Sequence, residues 1–167
     1  QLVKQICETN YLKKGNMLTI ITVVLNNKEG LKKTILSVID QKKYYSNIEY
    51  IVVDGKSTDG TIDVLYEYKS EINKLIIEED FGIYDAMNKG INFANGDSIL
   101  FLNSGDYFIG NVLGEFVKAP VFLNVKYENI FNNFIPRKIV NCIEGIPNCH
   151  QGIIFENKGL KYDLTYH

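Results

Sequence analysis

Glu49–Tyr66 reads EYIVVDGKSTDGTIDVLY. The apolar run Tyr50–Val53 is too short for a helix and is rich in β-branched and aromatic side chains, so it is expected as a buried strand. Asp54-Gly55-Lys56-Ser57-Thr58-Asp59-Gly60-Thr61 follows as a run of turn formers and helix N-caps, with Ser57 and Asp59 the expected caps. Ile62, Leu65 and Tyr66 then open a helical pattern. Strand, turn and helix in this order are the first half of a βαβ unit.

The same unit recurs on both sides. Leu18–Leu25 reads as a first strand, Asn26–Gly30 as a turn, and Leu31, Ile35, Val38 and Ile39 as the apolar stripe of a helix. Leu75–Ile77 is a short third strand. Ile83–Ala94 is expected as a helix with Ile83, Ala86, Met87, Ile91 and Ala94 on one side, closed by Asn95-Gly96-Asp97. Ser98–Leu102 is a fourth strand that ends in Asn103-Ser104-Gly105-Asp106. This alternation predicts a three-layer α/β/α domain around a mostly parallel sheet. Beyond Asp106 the pattern weakens: Val112–Val117 is expected as helical, and Val121–Val125, Lys138–Ile143 and Ile153–Phe155 as strands. The asparagine-rich tract Asn124–Asn133 reads equally as a loop or as a sheet edge. The domain is expected to span 17–167, with 1–16 an N-terminal extension or an extra helix.

The 167 residues, 46% apolar and 23% charged, suit one globular domain with its own core and exclude a disordered chain. Eighteen Lys+Arg against 20 Asp+Glu is too balanced for a protein that coats nucleic acid, so no nucleic-acid partner is expected. Arg137 is the sole arginine, which leaves lysines, backbone N–H groups or a metal to neutralise an anionic ligand. Cys7, Cys142 and Cys149 are odd in number and form no CxxC pair, which points away from a disulfide framework or zinc knuckle and toward a reducing, cytoplasmic compartment. Cys149 and His150 are adjacent, and two neighbours do not converge on one tetrahedral ion without further ligands. Leu18–Leu25 is far shorter than the roughly 20 apolar residues of a membrane helix.

In open parallel sheets ligands bind beyond the carboxyl ends of the strands. The polar and glycine clusters of this chain fall there: Asn26-Asn27 after the first strand, Asp54-Gly55 after the second, Asn103–Asp106 after the fourth. Asp54 can accept hydrogen bonds from a base or ribose, or simply cap its turn. Asp106 is placed to hold a hard divalent cation against a diphosphate, or to close a type I turn. Asp85 and Lys89, four residues apart on a helix, form either a surface ion pair or a pair of groups aimed at a sugar or phosphate.

Six segments, in order, resemble the bacterial family 2 glycosyltransferases of the GT-A fold, in particular the branch that makes cell-surface polysaccharides. They are TIITVVLNN (19–27), the Leu31–Gln41 helix with Thr34-Ile35-Leu36-Ser37-Val38 and Gln41, EYIVVDGKSTDGT (49–61), 80–96 with GIYDAMNKGI, ILFLNSGD (99–106), and Pro147-Asn148-Cys149-His150-Gln151 before 152–155. The resemblance implies that Val23, Leu25 and Asn26 line the nucleotide pocket and that Asp54 reads the base. It places Asn103 and Ser104 at the donor and Asp106 at Mg²⁺ or Mn²⁺, with Asp85 and Lys89 near the donor. Two departures stand out. The acidic metal motif of such enzymes is Asn103-Ser104-Gly105-Asp106 here, with one carboxylate, and the basic residue of the following helix is replaced by Met87, with Lys89 nearby.

The implied function is inverting transfer of a sugar from a nucleotide-diphosphate donor to a glycan or lipid-linked acceptor. Such a reaction needs a base for the acceptor hydroxyl and stabilisation of the departing diphosphate. The resemblance puts the base on a carboxylate after the histidine-glutamine strand. Asp163 looks like the earlier of two acidic positions there, so the base itself is expected beyond His167, and the acceptor side is expected to be incomplete. His150 is the alternative base or an acceptor contact. A following basic helix would give peripheral contact with the inner face of the membrane. Two other readings stay open: a nucleotidyltransferase, although Asn26–Gly30 is not a basic glycine-rich loop, and a non-catalytic nucleotide-sugar-binding remnant.

Overall fold

The structure, a computed structural model, describes residues 16–114, 121–122, 126–128, 134–136 and 153–164. The four βα strands form as expected, with small shifts at their ends: β1 Leu18–Val24, β2 Ile48–Asp54, β3 Lys74–Ile77 and β4 Ser98–Phe101. Between them lie α1 (Lys28–Gln41), α2 (Thr61–Glu67), a 3-10 turn at Lys69–Glu71, and α3 (Ile83–Asn92). Helix α1 begins earlier than its apolar stripe because the Asn27 side chain accepts from the N–H of Gly30 and caps it.

The later strands are β5 (Val121–Phe122), β6 (Lys126–Glu128), β7 (Phe134–Pro136) and β8 (Ile153–Glu156). One six-stranded sheet has the order β3-β2-β1-β4-β8-β5. The pairs β3·β2, β2·β1 and β1·β4 are parallel, whereas β8 is antiparallel to both β4 and β5. Strands β6 and β7 pair antiparallel in a separate two-stranded sheet, so the asparagine-rich tract contributes to neither edge of the main sheet at Lys126–Glu128.

Alternation along β1 divides the core between the two faces of the sheet. Leu18, Ile20 and Val24 pack with Tyr50, Val52 and Leu100 under Leu31, Ile35 and Val38 of α1 and Val64 and Leu65 of α2. Ile21 and Val23 pack with Ile51, Val53, Ile99 and Phe101 under Ala86, Met87 and Ile91 of α3. Both faces are covered, which is why these strands read as near-continuous apolar runs. Burial of side chains such as Met87 and Ile91 stabilises α3 by about 1.5–3 kcal/mol each. Buried Thr22 is satisfied: its hydroxyl donates to the Leu102 carbonyl at 2.7 Å and shares a hydrogen bond with the Tyr50 hydroxyl at 3.1 Å. That bond fixes the end of β4 just ahead of Asn103.

The expected helix over Val112–Val117 does not form in its described part. The N–H groups of Val112 and Leu113 donate to Oε1 of Gln41, at 2.9 and 3.0 Å, rather than to carbonyls one turn back. The backbone of 111–114 forms bends and a turn anchored on this side chain of α1. The strand at Val121–Val125 is present at Val121–Phe122. The Lys138–Ile143 strand, 1–15, Arg137, the three cysteines and His150 lie outside the described residues.

Candidate functional site

Strand β1 lies between β2 and β4, so Asp54 at the end of β2 and the turn after β4 that carries Asn103 sit on either side of it. Asp54 is fully buried. Its Oδ1 accepts from the N–H of Ser57 at 2.8 Å, and its Oδ2 has no hydrogen-bond partner among the described residues. One oxygen of Asp54 thus caps its turn, and the other is left without a partner among the described residues. The N-cap of α2 is Gly60, with no side-chain cap bond, in place of the expected Ser57 and Asp59; the Asp59 carboxylate accepts from the N–H and hydroxyl of Thr61 and from the N–H of Lys28. The Thr61 hydroxyl bond holds its pKa below the usual carboxylate range.

Around Asp54 the floor is close. A Cβ on Gly55 would lie 2.5 Å from Oδ2 of Asp80 and 3.3 Å from Cδ1 of Leu25, so glycine lets both approach the backbone beside Asp54. In the sequence Asp80 stands out only as the start of the 80–96 segment, and its placement here depends on the loop before α3 folding back over β2. Its Oδ1 accepts from the N–H of Gly82 at 3.0 Å. Leu25 is exposed. Asn26 (φ 50°) is engaged in the scaffold: its N–H donates to the Ser57 hydroxyl at 2.8 Å and its side-chain oxygen accepts from the N–H of Thr58 at 2.8 Å. These bonds lock the loops after β1 and β2 together.

The turn Asn103–Asp106 is held almost entirely through its backbone. The N–H of Ser104 donates to the Val23 carbonyl at 3.1 Å, and the Ser104 carbonyl accepts from Asn27 Nδ2 at 3.1 Å. The Ser104 hydroxyl donates to the Asn27 carbonyl at 3.3 Å. The hydroxyl of Thr34, on α1, accepts from the N–H of Gly105 at 3.0 Å and donates to the Asp106 carbonyl at 2.7 Å. What remains for a ligand are two side-chain groups. Oδ1 of Asn103 is buried with no partner among the described residues, and nothing described hydrogen-bonds to the carboxylate of Asp106. Burial pushes that carboxylate's pKa up.

These two groups are hard oxygen donors on one turn, and a buried amide oxygen left unpaired is a group that a cation would satisfy. Among the described residues no cluster of three or more His, Cys, Asp or Glu could hold a metal by itself. The donor set therefore fits a divalent ion of the Mg²⁺ or Mn²⁺ type only when ligand phosphates and waters complete the coordination.

Of the two readings of Asp85 and Lys89, the structure forms the ion pair, at 3.1 Å, with Glu78 as a second partner at 3.5 Å. Lys89 also donates to the Glu79 carbonyl. The N–H of Phe81 donates to Asp85 Oδ2 at 3.0 Å and, with Lys89, holds the Asp85 pKa low. Both side chains brace the N-terminus of α3. Its Asn88 instead reaches the C-terminal segment: Nδ2 donates to the Tyr162 carbonyl at 2.9 Å, and the N–H of Tyr162 donates to Oδ1 at 2.7 Å. Tyr162 stacks on Tyr84 at 5.1 Å and meets Phe101 edge-on at 5.5 Å, and burial raises its hydroxyl pKa to about 12. Asp163 is thereby carried on a segment clasped to α3.

A mostly parallel three-layer sandwich with its unpaired polar groups gathered at the carboxyl ends of β2 and β4 is the architecture of a GT-A nucleotide-sugar transferase domain. The chain belongs to glycosyl transferase family 2, whose model matches residues 19–120. It is 40% identical over 102 residues to an uncharacterized glycosyltransferase of Mycobacterium tuberculosis, covering 60% of this chain and 38% of that protein. It is 34% identical over 93 residues to a PGL/p-HBAD biosynthesis glycosyltransferase of Mycobacterium bovis, covering 54% and 36%. The chain thus spans little more than a third of the length of these relatives. In fold it is similar to S. aureus TarS in complex with UDP (TM-score 0.57, 19% identity, 84% of this chain and 47% of that one). It is also similar to the mannosyltransferase PcManGT from Pyrobaculum calidifontis in complex with GDP-Man and Mn²⁺ (TM-score 0.56, 18% identity, 78% and 43%). Among the described residues no helix is long and apolar enough to cross a membrane.

Proposed function

We propose that this domain binds a nucleotide-diphosphate sugar and that the protein transfers the sugar, with inversion, to a glycan or lipid-linked acceptor in cell-surface polysaccharide synthesis. The observation that carries this reading is the pair of buried oxygens without a partner among the described residues, Asp54 Oδ2 at the end of β2 and Asn103 Oδ1 in the turn after β4. Leaving such atoms unpaired costs about 1–3 kcal/mol each, which a bound ligand returns.

Asp54 holds the base by accepting an N–H at Oδ2 while Ser57 keeps the carboxylate oriented. Leu25 and Gly55 form the wall along which the nucleoside lies, and the backbone of Val23 supports the turn below the diphosphate. Asn103 and Asp106 would hold Mg²⁺ or Mn²⁺, which when bound offsets the charge developing on the departing diphosphate. With arginine nearly absent, this arrangement replaces a guanidinium clamp. The base that removes the acceptor proton belongs to the acceptor side, in the region that follows the histidine-glutamine segment, with His150 as the alternative. Work at the cytoplasmic face of the membrane fits a lipid-linked acceptor.

The test is a panel of UDP- and GDP-sugars with Mn²⁺, following nucleoside diphosphate release and, in parallel, UDP and GDP binding by calorimetry. Release accelerated by the protein supports the transferase. Binding without release on any donor supports the non-catalytic reading. No binding of either nucleotide overturns the site.

A further inference from the structure

Helix α1 carries a polar anomaly on its buried stripe. Leu31, Thr34, Ile35, Val38 and Gln41 all face inward, and Thr34 and Gln41 are as buried as the leucines. Neither polar group serves the helix or the sheet primarily; both serve the segment that follows β4. Gln41 binds its far end, donating from Nε2 to the Gly110 carbonyl at 2.6 Å and accepting from Val112 and Leu113. Thr34 binds its near end, at Gly105 and Asp106.

The near end matters for chemistry. Ser104 is fixed to β1 and to Asn27 by its own bonds. The N–H of Asp106 donates to the Asn103 carbonyl at 2.9 Å, a bond internal to the turn. Gly105, with φ 102°, is a swivel between them. Among the described residues, the only hydrogen bonds that tie Gly105 and Asp106 to anything outside the turn are those to the Thr34 hydroxyl. A hydroxyl has one hydrogen, so of its nearby carbonyls the 2.7 Å bond to Asp106 is the one it makes best, ahead of Gly30 at 3.0 Å and Asn103 at 3.5 Å.

We propose that Thr34 is a positioning residue for the divalent cation: its hydroxyl, and no other group on α1, sets where the Asp106 carboxylate stands relative to Asn103. The inference rests on the reading of Asn103 and Asp106 as cation ligands. Groups that orient a ligand without touching the metal typically contribute 10–100-fold in affinity.

The test compares wild type with Thr34→Val, Thr34→Ser and Gln41→Met. Valine keeps the shape and loses the hydroxyl, serine keeps the hydroxyl, and the methionine variant frees only the far end of the segment. Mn²⁺ binding is followed by the paramagnetic resonance of the free ion in the presence of UDP or GDP, and metal-free nucleotide affinity by calorimetry in EDTA. Thr34→Val should weaken Mn²⁺ by about 10–100-fold, with metal-free nucleotide affinity unmoved. Thr34→Ser should restore Mn²⁺ affinity, and Gln41→Met should lower thermal stability without weakening Mn²⁺. If the valine variant does not fold, Thr34→Ala, which leaves room for a water, carries the same expectation. Wild-type Mn²⁺ affinity in the valine or alanine variant, or an equal loss in Gln41→Met, overturns the inference alone. Wild-type protein that binds no Mn²⁺ with either nucleotide overturns the cation-site reading itself, and the inference with it.

Discussion

The N–H of Ser57 donates to one carboxylate oxygen of Asp54 at 2.8 Å and leaves the other, fully buried, with no hydrogen-bond partner among the described residues. The bond orients the side chain, and the free oxygen is the acceptor for a base N–H. Asp54→Asn can keep the Ser57 bond through its own oxygen and present an NH₂ where the acceptor stood. A hydrogen bond to a charged group is worth about 1.5–3 kcal/mol, so UDP or GDP affinity should fall by roughly 10- to 150-fold. Calorimetry of the variant reads this directly, and unchanged affinity for both nucleotides would remove Asp54 from the site.

Asp106 should make the free protein less stable as pH rises. Burial raises its pKa in the folded state, so between the unfolded and folded pKa values the native protein holds more protons than the unfolded chain. The stability associated with the protonated form is present at low pH and is lost as pH climbs through the folded pKa. Asp106→Asn removes the unpaired charge and should raise the melting temperature of the free protein at neutral pH, each 1 kcal/mol appearing as about 2–4 °C at this size. Mn²⁺ added on top of UDP should further stabilise the wild type and not the variant. Thermal melts at several pH values, with and without the ion, decide both points.

Asn88 and Tyr162 form a two-bond clasp across 74 residues of sequence. Asn88→Ala removes both of these bonds, each worth about 0.5–1.5 kcal/mol. The loss is local, so it should appear as faster tryptic cleavage after Lys161, read by mass spectrometry of timed digests, before any change in the global melt. A digest indistinguishable from wild type counts against the clasp.

Gly90 marks the closest approach of α3 to the sheet, since a Cβ there would lie 2.5 Å from Cγ2 of Ile21. Gly90→Ala gains about 1 kcal/mol of helix propensity and incurs about 1–3 kcal/mol of overpacking. A net fall in melting temperature is expected. A variant that melts higher would mean that α3 lies farther from β1 than 90 and 21 now stand.

Four strands, three helices and their order were legible because both faces of the sheet are covered, which turns each central strand into an apolar run that few other structures tolerate. The later segments were harder. Val112 and Leu113 have apolar spacing compatible with a helix, but 111–114 form bends and a turn held by Gln41, 71 and 72 residues before Val112 and Leu113. Asp85 and Lys89 show the complementary case: their i, i+4 spacing gave the ion pair as one of two readings, and the pair forms, with Glu78 as a second partner of Lys89. Thr34 and Gln41 did leave a signal, two polar residues on an otherwise apolar helical stripe, but the pattern does not say which backbone they satisfy.

The sequence by itself determined the βα alternation, the family, and the strand-end positions of Asp54, Asn103 and Asp106, because periodicity and turn chemistry are local properties of the chain. Tertiary structure alone decided which of those polar groups are left unpaired. Ser57 claims one oxygen of Asp54, Thr34 and Asn27 claim the backbone of the Asn103–Asp106 turn, and Lys89 claims Asp85. A hydrogen bond is a property of two groups brought within about 3 Å, and for partners such as Thr34 and Asp106, 72 residues apart, that distance exists only once the sheet has formed.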